Sequence, residues 1–515
     1  MTLAAGTIGA ALLGPTEVRA GSAPCVLRTT RRPTLQRVRI TVEAEGNVAL
    51  ADNPIASREV TLRMPMKATA TLDYEQQLIT ANTRDLAERN FVAGQLGDIV
   101  GTTRHYHEAT SRGITGRRSF EHVLGDSVRD IETIRSEMDR LTIARDGLLS
   151  AEEAELLDLP VDSTNLEAWL PHDGVVVGDT YSIAEADLLQ VLQLDTVDST
   201  SVAGKVTAIQ TDQATIEIEG RLSGSVRGVL TDMRLVGKMN YNRVEGLCDW
   251  LAIAIHETRG VGLAGPGLDV SATVKMIRRS MKRPVKLATL SPSQQNAWVS
   301  DHVPTVDPTR TWLRHRSRHL DFEVLMSRDW RLMSDVPGAA MMRMVRDDRS
   351  IAQCDVKRLP DLPAGSQLTL AAFSDDVRQT LGDQLDQLDS ADQRISAGGL
   401  RVLRVSAAGQ ASGVPIRWLV LHLSNDQGRR LLATFTMQAN QRPTFGAADE
   451  QWADSLTLLD GIGRNESTQT ASHRETSNPV GDQLQYEPIR AASASAHTRS
   501  ASAPPAATAS PSDRR

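Results

Sequence analysis

The densest chemistry-bearing feature of the sequence is a run of cations. Between Met276 and His319, Arg278, Arg279, Lys282, Arg283, Lys286, Arg310, Arg314, Arg316 and Arg318 face only Asp301 and Asp307 as counter-charges. A strip of this kind suits anionic lipid headgroups, cell-wall polymer or an acidic partner. Arg278, Arg279, Lys282, Arg283, Lys286, Arg314, Arg316 and Arg318 are its polyanion-binding candidates. The plainer explanation is a linker with solvated charge.

Histidine offers three further places for chemistry. His256-Glu257 opens like a zinc-protease helix, but Gly260 stands where the second histidine is required, so the ligand pair is absent. His315 and His319 have helical i, i+4 spacing, and His105 and His107 would share one face of a strand. Each could supply half a metal site, yet neither has a completing carboxylate or cysteine nearby. The glycines of Gly260-Val261-Gly262-Leu263-Ala264-Gly265 match a dinucleotide fingerprint after a strand-like run. Pro266 and Gly267 follow in place of an amphipathic helix, so the segment reads as a flexible turn. No nucleophile-elbow serine or phosphate-binding loop occurs. No catalytic residue, cofactor or metal ligand is therefore assigned.

Cys25, Cys248 and Cys354 lack paired spacing and read as small apolar residues rather than ligands or nucleophiles. With 515 residues, two or more domains are expected. A net charge of -7 argues against a globally basic nucleic-acid binder, and an aromatic share of 3% against base or sugar stacking as the main theme. The apolar run Leu3–Leu13, with Val18-Arg19-Ala20 before Gly21, fits a signal peptide over 1–20, although no basic residue precedes the run. That predicts export to the periplasm or beyond. No later stretch has the length of a membrane span.

The elements that must position these residues divide the chain. Residues 35–275 predict a β-rich unit: Val38–Val42 and Thr61–Leu72 alternate, and Ala214–Gly220 puts Ile216 and Ile218 on one face and Glu217 and Glu219 on the other. Trp250–Ile255 is apolar on both faces and predicts a covered central strand. Val123, Val128, Ile131, Ile134, Met138 and Leu141 predict a helix over 119–141, and Ser150/Glu153 and Ser182/Glu185 predict two capping boxes. Residues 276–319 predict a basic, Pro-containing connector. Residues 320–460 predict a second unit. In it, Thr369–Leu388 is a helix with Ser374 as N-cap, three strands follow over 399–437, and Ala448–Leu459 is a final amphipathic piece. Residues 461–515 predict a disordered tail. The fold class expected is α+β, with two domains rich in antiparallel sheet and packed helices.

Phe322 and Trp330, Cys354, Leu370 and Phe373, the Gly398-Gly399-Leu400 turn, and the hairpin from Pro415-Ile416-Arg417-Trp418 to Gly428-Arg429-Arg430 carry a resemblance. They make 320–460 similar to the PsbP-like sandwich of bacterial envelope lipoproteins and of a photosystem accessory subunit. The resemblance implies an antiparallel sheet with helices on both faces and a binding or accessory role. The first unit is similar in pattern to envelope lipid-carrier folds. The expectation is a non-enzymatic envelope protein that binds a lipid-like ligand or a protein partner. The alternatives are a metal-dependent hydrolase whose site forms only in three dimensions, and a polyanion binder acting through the connector.

Overall fold

The computed structural model describes residues 24–27, 33–50, 62–80, 99–135, 140–263, 265–295, 307–317, 319–363 and 365–459. The signal-like segment 1–20, the tail 461–515 and Arg318 lie outside the described residues. The first unit is one sheet in which every pairing is antiparallel. Its strands are β1 (Leu35–Leu50), β2 (Leu62–Thr80), β3 (Ile99–Thr115), β4 (Arg118–Val123), β5 (Asp130–Arg135), β6 (Arg140–Ala144), β7 (Thr180–Ser182), β8 (Thr196–Thr200), β9 (Ala203–Ile209), β10 (Gln213–Val226), β11 (Val229–Asn242), β12 (Leu247–Arg259) and β13 (Gly267–Ser280). Their order is β6-β5-β3-β2-β1-β13-β12-β11-β10-β9-β7, with β4 on β3 and β8 on β10. Among the described residues the end strands β6 and β7 do not pair with each other, which leaves their sheet open.

Alternation gives this sheet one apolar face. Val38 and Ile40, Ile216 and Ile218, Leu235, Leu251 and Ile253 all point into a single core. The chain covers that face with its own residues 149–194. Helix α1 (Ala151–Leu156), the 3-10 turn Leu166–Trp169 and helix α2 (Glu185–Leu192) bring Leu156, Leu166, Trp169, Leu188 and Val191 into the same core. The capping box expected at Ser150 is present: its hydroxyl accepts from the Glu153 N–H and the Glu153 carboxylate accepts from the Ser150 N–H. Over β10–β13 the other sheet face is wet and carries cross-strand ion pairs such as Glu217–Lys238, an arrangement open to antiparallel sheets, whereas parts of β2, β3 and β5 are buried on both faces.

A belt of buried polar groups crosses the covered face. Arg278 on β13 donates to Gln36 on β1 (3.2 Å), and Gln76 on β2 donates to the same Gln36 oxygen (2.9 Å). Arg104, Arg135 and Arg140, on β3, β5 and β6, surround Asp162. The covering segment meets this belt with Asp162-Ser163-Thr164-Asn165-Leu166-Glu167, every residue buried. Ser163 hydrogen-bonds the Tyr74 hydroxyl (2.8 Å), and Glu167 accepts from Arg278 (2.8 Å) and from the Cys248 N–H (2.8 Å).

The second unit has its own sheet of β16 (Trp330–Val336), β17 (Ala339–Arg346), β18 (Arg349–Leu359), β19 (Leu385–Ile395), β20 (Arg401–Ala411), β21 (Val414–Ser424) and β22 (Arg430–Gln438), ordered β16-β17-β18-β22-β21-β20-β19. Helix α3 (Leu370–Leu381) packs on one face over Val405, Trp418 and Val420. Helices α4 (Arg442–Phe445) and α5 (Ala448–Ser455) cover the other, over Leu421, Ala433 and Phe435. A small sheet of β14 (Leu313–Ser317), β15 (Phe322–Met326) and β23 (Thr457–Leu458) closes that side.

The architecture corrects the α+β expectation: the protein is mostly β, built on three antiparallel sheets, and its helices are few and short. The main error is the helix over 119–141. Val123 lies on β4, Ile131 and Ile134 on β5, and Leu141 on β6. These strands pair with β3 or with one another, and their β-branched residues fit a sheet better than a helix. Ser182 is no cap, because its backbone pairs with Ala203 and α2 starts from Ala184. Thr369, not Ser374, caps α3; the Ser374 hydroxyl donates back to the Leu370 carbonyl (2.9 Å). Gly382, with φ of 50°, ends that helix and frees Leu385 and Leu388 for β19. Trp250–Ile255 is central, but only one of its faces is buried.

The two units are joined through α1 and the connector. The Arg314 N–H donates to the Leu149 carbonyl (2.9 Å), and its guanidinium faces Glu153 (3.9 Å). Arg310 reaches Glu132 (3.2 Å). A second junction uses the glycine loop: the Leu263 N–H donates to Asp348 (2.7 Å) and Arg343 donates to the Leu263 carbonyl (3.3 Å). Glu75 anchors the connector, its carboxylate accepting from the N–H groups of Val285, Lys286 and Leu287.

Two outcomes follow. Arg278→Met strands the Glu167 carboxylate in the core and is expected to cost about 3–5 kcal/mol, read as a lower denaturant midpoint. Adding Glu167→Gln, which keeps an acceptor for the Cys248 N–H, should recover a large part; equal losses in the two variants would rule out a stranded charge as the cause. Acid stability should reflect two histidines. Burial is the main cause that lowers His315 and His422 to about 4 from 6.5, with Arg331 adding to it at His315 and Arg430 and Arg401 at His422. The unfolded chain then takes up protons first, so stability present above pH 6.5 is lost between 6.5 and 4 and levels off below. His422→Leu should flatten this limb in thermal melts; an unchanged limb would remove His422 from its causes.

Candidate functional site

The cationic candidates do not form one strip. Arg278 is fully buried in the belt described above. Arg279, its neighbour on β13, points to the opposite, exposed face. Strand β13 extends to Ser280, so the connector begins later than its sequence suggests, because Met276 and Arg278 are needed on the covered face. Lys282, Arg283 and Lys286 are exposed on the stretch that Glu75 pins. Arg314 is spent on the junction, and Arg316 is exposed on β14.

Neither histidine pair forms a metal site: the His105 and His107 rings do meet edge to face at 5.2 Å, but each turns to its own carboxylate. His105 bonds Asp130 (2.9 Å) while His107 bonds Glu75 (2.6 Å). His315 is buried on a strand and His319 exposed on the turn after it, so the helical spacing never forms. Among the described residues no three metal-ligating side chains converge.

The arrangement with most binding potential lies in the second unit, beside the junction. Trp312, Trp330, Phe445 and Trp452 line a cleft of about 280 Å³. Each arrives by a separate device. The Asp307 carboxylate accepts from the Thr309 N–H and sets the turn Pro308–Thr311 that presents Trp312. Arg328 clamps that turn, donating to the Thr311 carbonyl (3.0 Å) and also to Thr142 of the first unit. Trp330 opens β16 opposite Met344. Gly446, with φ of 59°, ends α4 and so turns Phe445 inward, while α5 supplies Trp452. A cis arrangement is not required anywhere in these turns.

Behind the cleft the rings support one another edge to face. Trp330 meets Phe435 at 5.9 Å, and Phe435 meets Phe445 at 5.7 Å and Trp452 at 5.8 Å. Such pairs add about 0.5–1.5 kcal/mol each beyond simple burial. Asp329 and Arg346 form an ion pair at the rim (2.6 Å), and the buried Trp452 indole N–H has no hydrogen-bond partner among the described residues. The cleft can hold an apolar or aromatic group against its floor while a polar end meets Arg346 or Asp329.

Sequence reasoning used Phe322 and Trp330 only as fold cues and passed over the rest. Three of the seven tryptophans and three of the six phenylalanines, counting Phe322, Phe435 and Phe445, gather here. Their clustering in the windows 312–330 and 435–452 was the available signal.

No family model and no curated protein matches the chain. Among solved structures, a Bacteroides thetaiotaomicron VPI-5482 protein is 15% identical over 28% of this chain at a TM-score of 0.21, and the chain spans 48% of its length. A Pseudomonas aeruginosa protein of unknown function described as a putative regulator, PA94, is 14% identical over 32% of this chain and 99% of its own, with a TM-score of 0.17. Pseudomonas putida OprB is 8% identical over 78% of this chain and 91% of its own, at 0.11. At such scores none of them bears on the fold or the function of this chain.

Proposed function

We propose that the protein is a non-enzymatic binding protein of the cell envelope whose second unit receives an apolar side chain of a protein partner in the Trp312–Trp452 cleft. The observation that carries this reading is the convergence of four aromatic side chains on a cleft with a charged rim in an aromatic-poor chain. Its volume of about 280 Å³ lies at the small end of ligand pockets, about 300–1,000 Å³. That favours a single anchoring side chain over a lipid, because partner hot spots insert such anchors into desolvated pockets with polar rims. The lipid-carrier alternative is weakened by the covering of the large sheet's apolar face by residues 149–194. Export and the PsbP-like resemblance of 320–460 belong to the same proposal and rest on the residues that suggested them. Among the described residues, no helix is long and apolar enough to cross a membrane.

The test uses 8-anilinonaphthalene-1-sulfonate, an aromatic probe with one anion to meet Arg346. The native protein should enhance its fluorescence saturably. Ala447→Trp, an exposed residue that lines the cleft and can fill it without entering the core, should weaken binding about tenfold or more. Unchanged binding in that variant would overturn the assignment of the cleft.

A further inference from the structure

The wet face of the large sheet breaks a pairing rule where Arg37 stands opposite Arg279, with Asp73 and Glu75 as counter-charges, and again at a place with thinner counter-charge. Cross-strand neighbours on an exposed face normally carry opposite charges, and like charges directly opposite are unfavourable. Strands β10 and β11 obey this at Glu217 opposite Lys238. Four residues along β10, the same two strands place Arg221 directly opposite Arg234. On the next strand His256 stands opposite Arg234, so three basic side chains lie in a row across β10, β11 and β12. All three are exposed.

Counter-charge for this row is thin. Among the described residues no carboxylate comes within ion-pairing distance of Arg221, and the partner of Arg234 is Glu219 at 3.9 Å with both side chains more than half exposed. His256 faces Asp269 at 3.6 Å. Beside the row runs a second one of hydroxyls. Ser199 bonds Ser223 (2.8 Å), Ser223 stands opposite Asp232, and Asp232 opposite Thr258. A wall rises on the open side because Ser201 crosses onto β10, its N–H donating to the Arg221 carbonyl (2.8 Å). Only glycine fits beneath that crossing, since a Cβ at Gly220 would sit 2.6 Å from the Ser201 carbonyl oxygen. The result is a trough of about 610 Å³ that spans three strand spacings, about 14 Å.

We propose that this trough binds an anionic glycan. Arg221 and Arg234 present guanidinium forks suited to a carboxylate or sulfate, and an anion between them would relieve the repulsion of their opposed register. The hydroxyl row and Asp232 supply the donors and acceptors that sugar hydroxyls use. The length matches an oligosaccharide rather than a single ion. No Trp, Tyr or Phe lines the trough, so it lacks the stacking surface that single-stranded nucleic acid uses, and sugar recognition there rests on charge and hydrogen bonds. The site is separate from the aromatic cleft and from the connector cations.

Titration calorimetry of the full chain at low ionic strength tests the proposal with a heparin hexasaccharide, a polygalacturonate oligomer and neutral dextran. One or both anionic probes should bind, identifying sulfate or uronate as the charge recognised, while dextran should not. Arg221→Ser combined with Arg234→Ser should weaken binding about tenfold or more with an unchanged melting temperature. Lys282→Ser/Arg283→Ser/Lys286→Ser should leave it intact. The proposal is overturned by binding of neither anionic probe, by equal binding of dextran, by an unaffected Arg221/Arg234 variant, or by an equal loss in the connector variant.

Discussion

A thirteen-stranded sheet with one apolar face must have that face covered, and nearly everything in the first unit follows from how this chain does it. The cover is internal and is fixed by polar groups as well as by packing. Asp162 and Glu167 come from the covering segment, and the arginines that hold Asp162 lie three to five strands away in the sheet from the one that holds Glu167. Buried charge pairs are weak contributors to net stability but strong punishers of misplacement. A register slip in β13 or a shifted cover would strand an arginine in the core. The belt therefore specifies which segment covers which strands, a task that interchangeable aliphatic contacts perform poorly.

The same cover connects the units. Helix α1 uses Leu156 in the core while Glu153 at its N-terminal turn meets Arg314 of the connector. The clamp by Arg328 on Thr142 and Thr311 then ties the edge of the large sheet to the turn that carries Trp312. The aromatic cleft thus depends on a residue outside its own sheet.

Strands with strict alternation were legible in the sequence. Ala214–Gly220 declares its two faces through Ile216, Ile218, Glu217 and Glu219, and the hairpin at Asn425-Asp426-Gln427-Gly428 declares its turn by a glycine with φ of 84°. Helical spacing misled wherever strands were short and turns frequent, since Val123, Val128, Ile131 and Ile134 repeat at three to five residues while lying on different elements. Arg278 was beyond reach for another reason. Nothing local distinguishes it from Arg279, and the buried partners that make it a core residue, Glu167 and Gln36, lie 111 and 242 residues away. The aromatic cleft needed two windows far apart in the sequence, 312–330 and 435–452, to be brought together, which periodicity does not report.

Strand β14 lies in the stretch that reads as a linker, yet it is built into both halves: it pairs with β15 along its length, and Arg314 bridges to Ser150. The sequence boundary at 320 therefore cuts through a finished piece of architecture. A fragment excised from residue 320 would lose β14, one of the two partners of β15, and one wall of the cleft, while one starting at Asp307 would retain both. For dissecting this molecule by truncation, the useful seam lies before the proline turn, not at the change in composition that follows it.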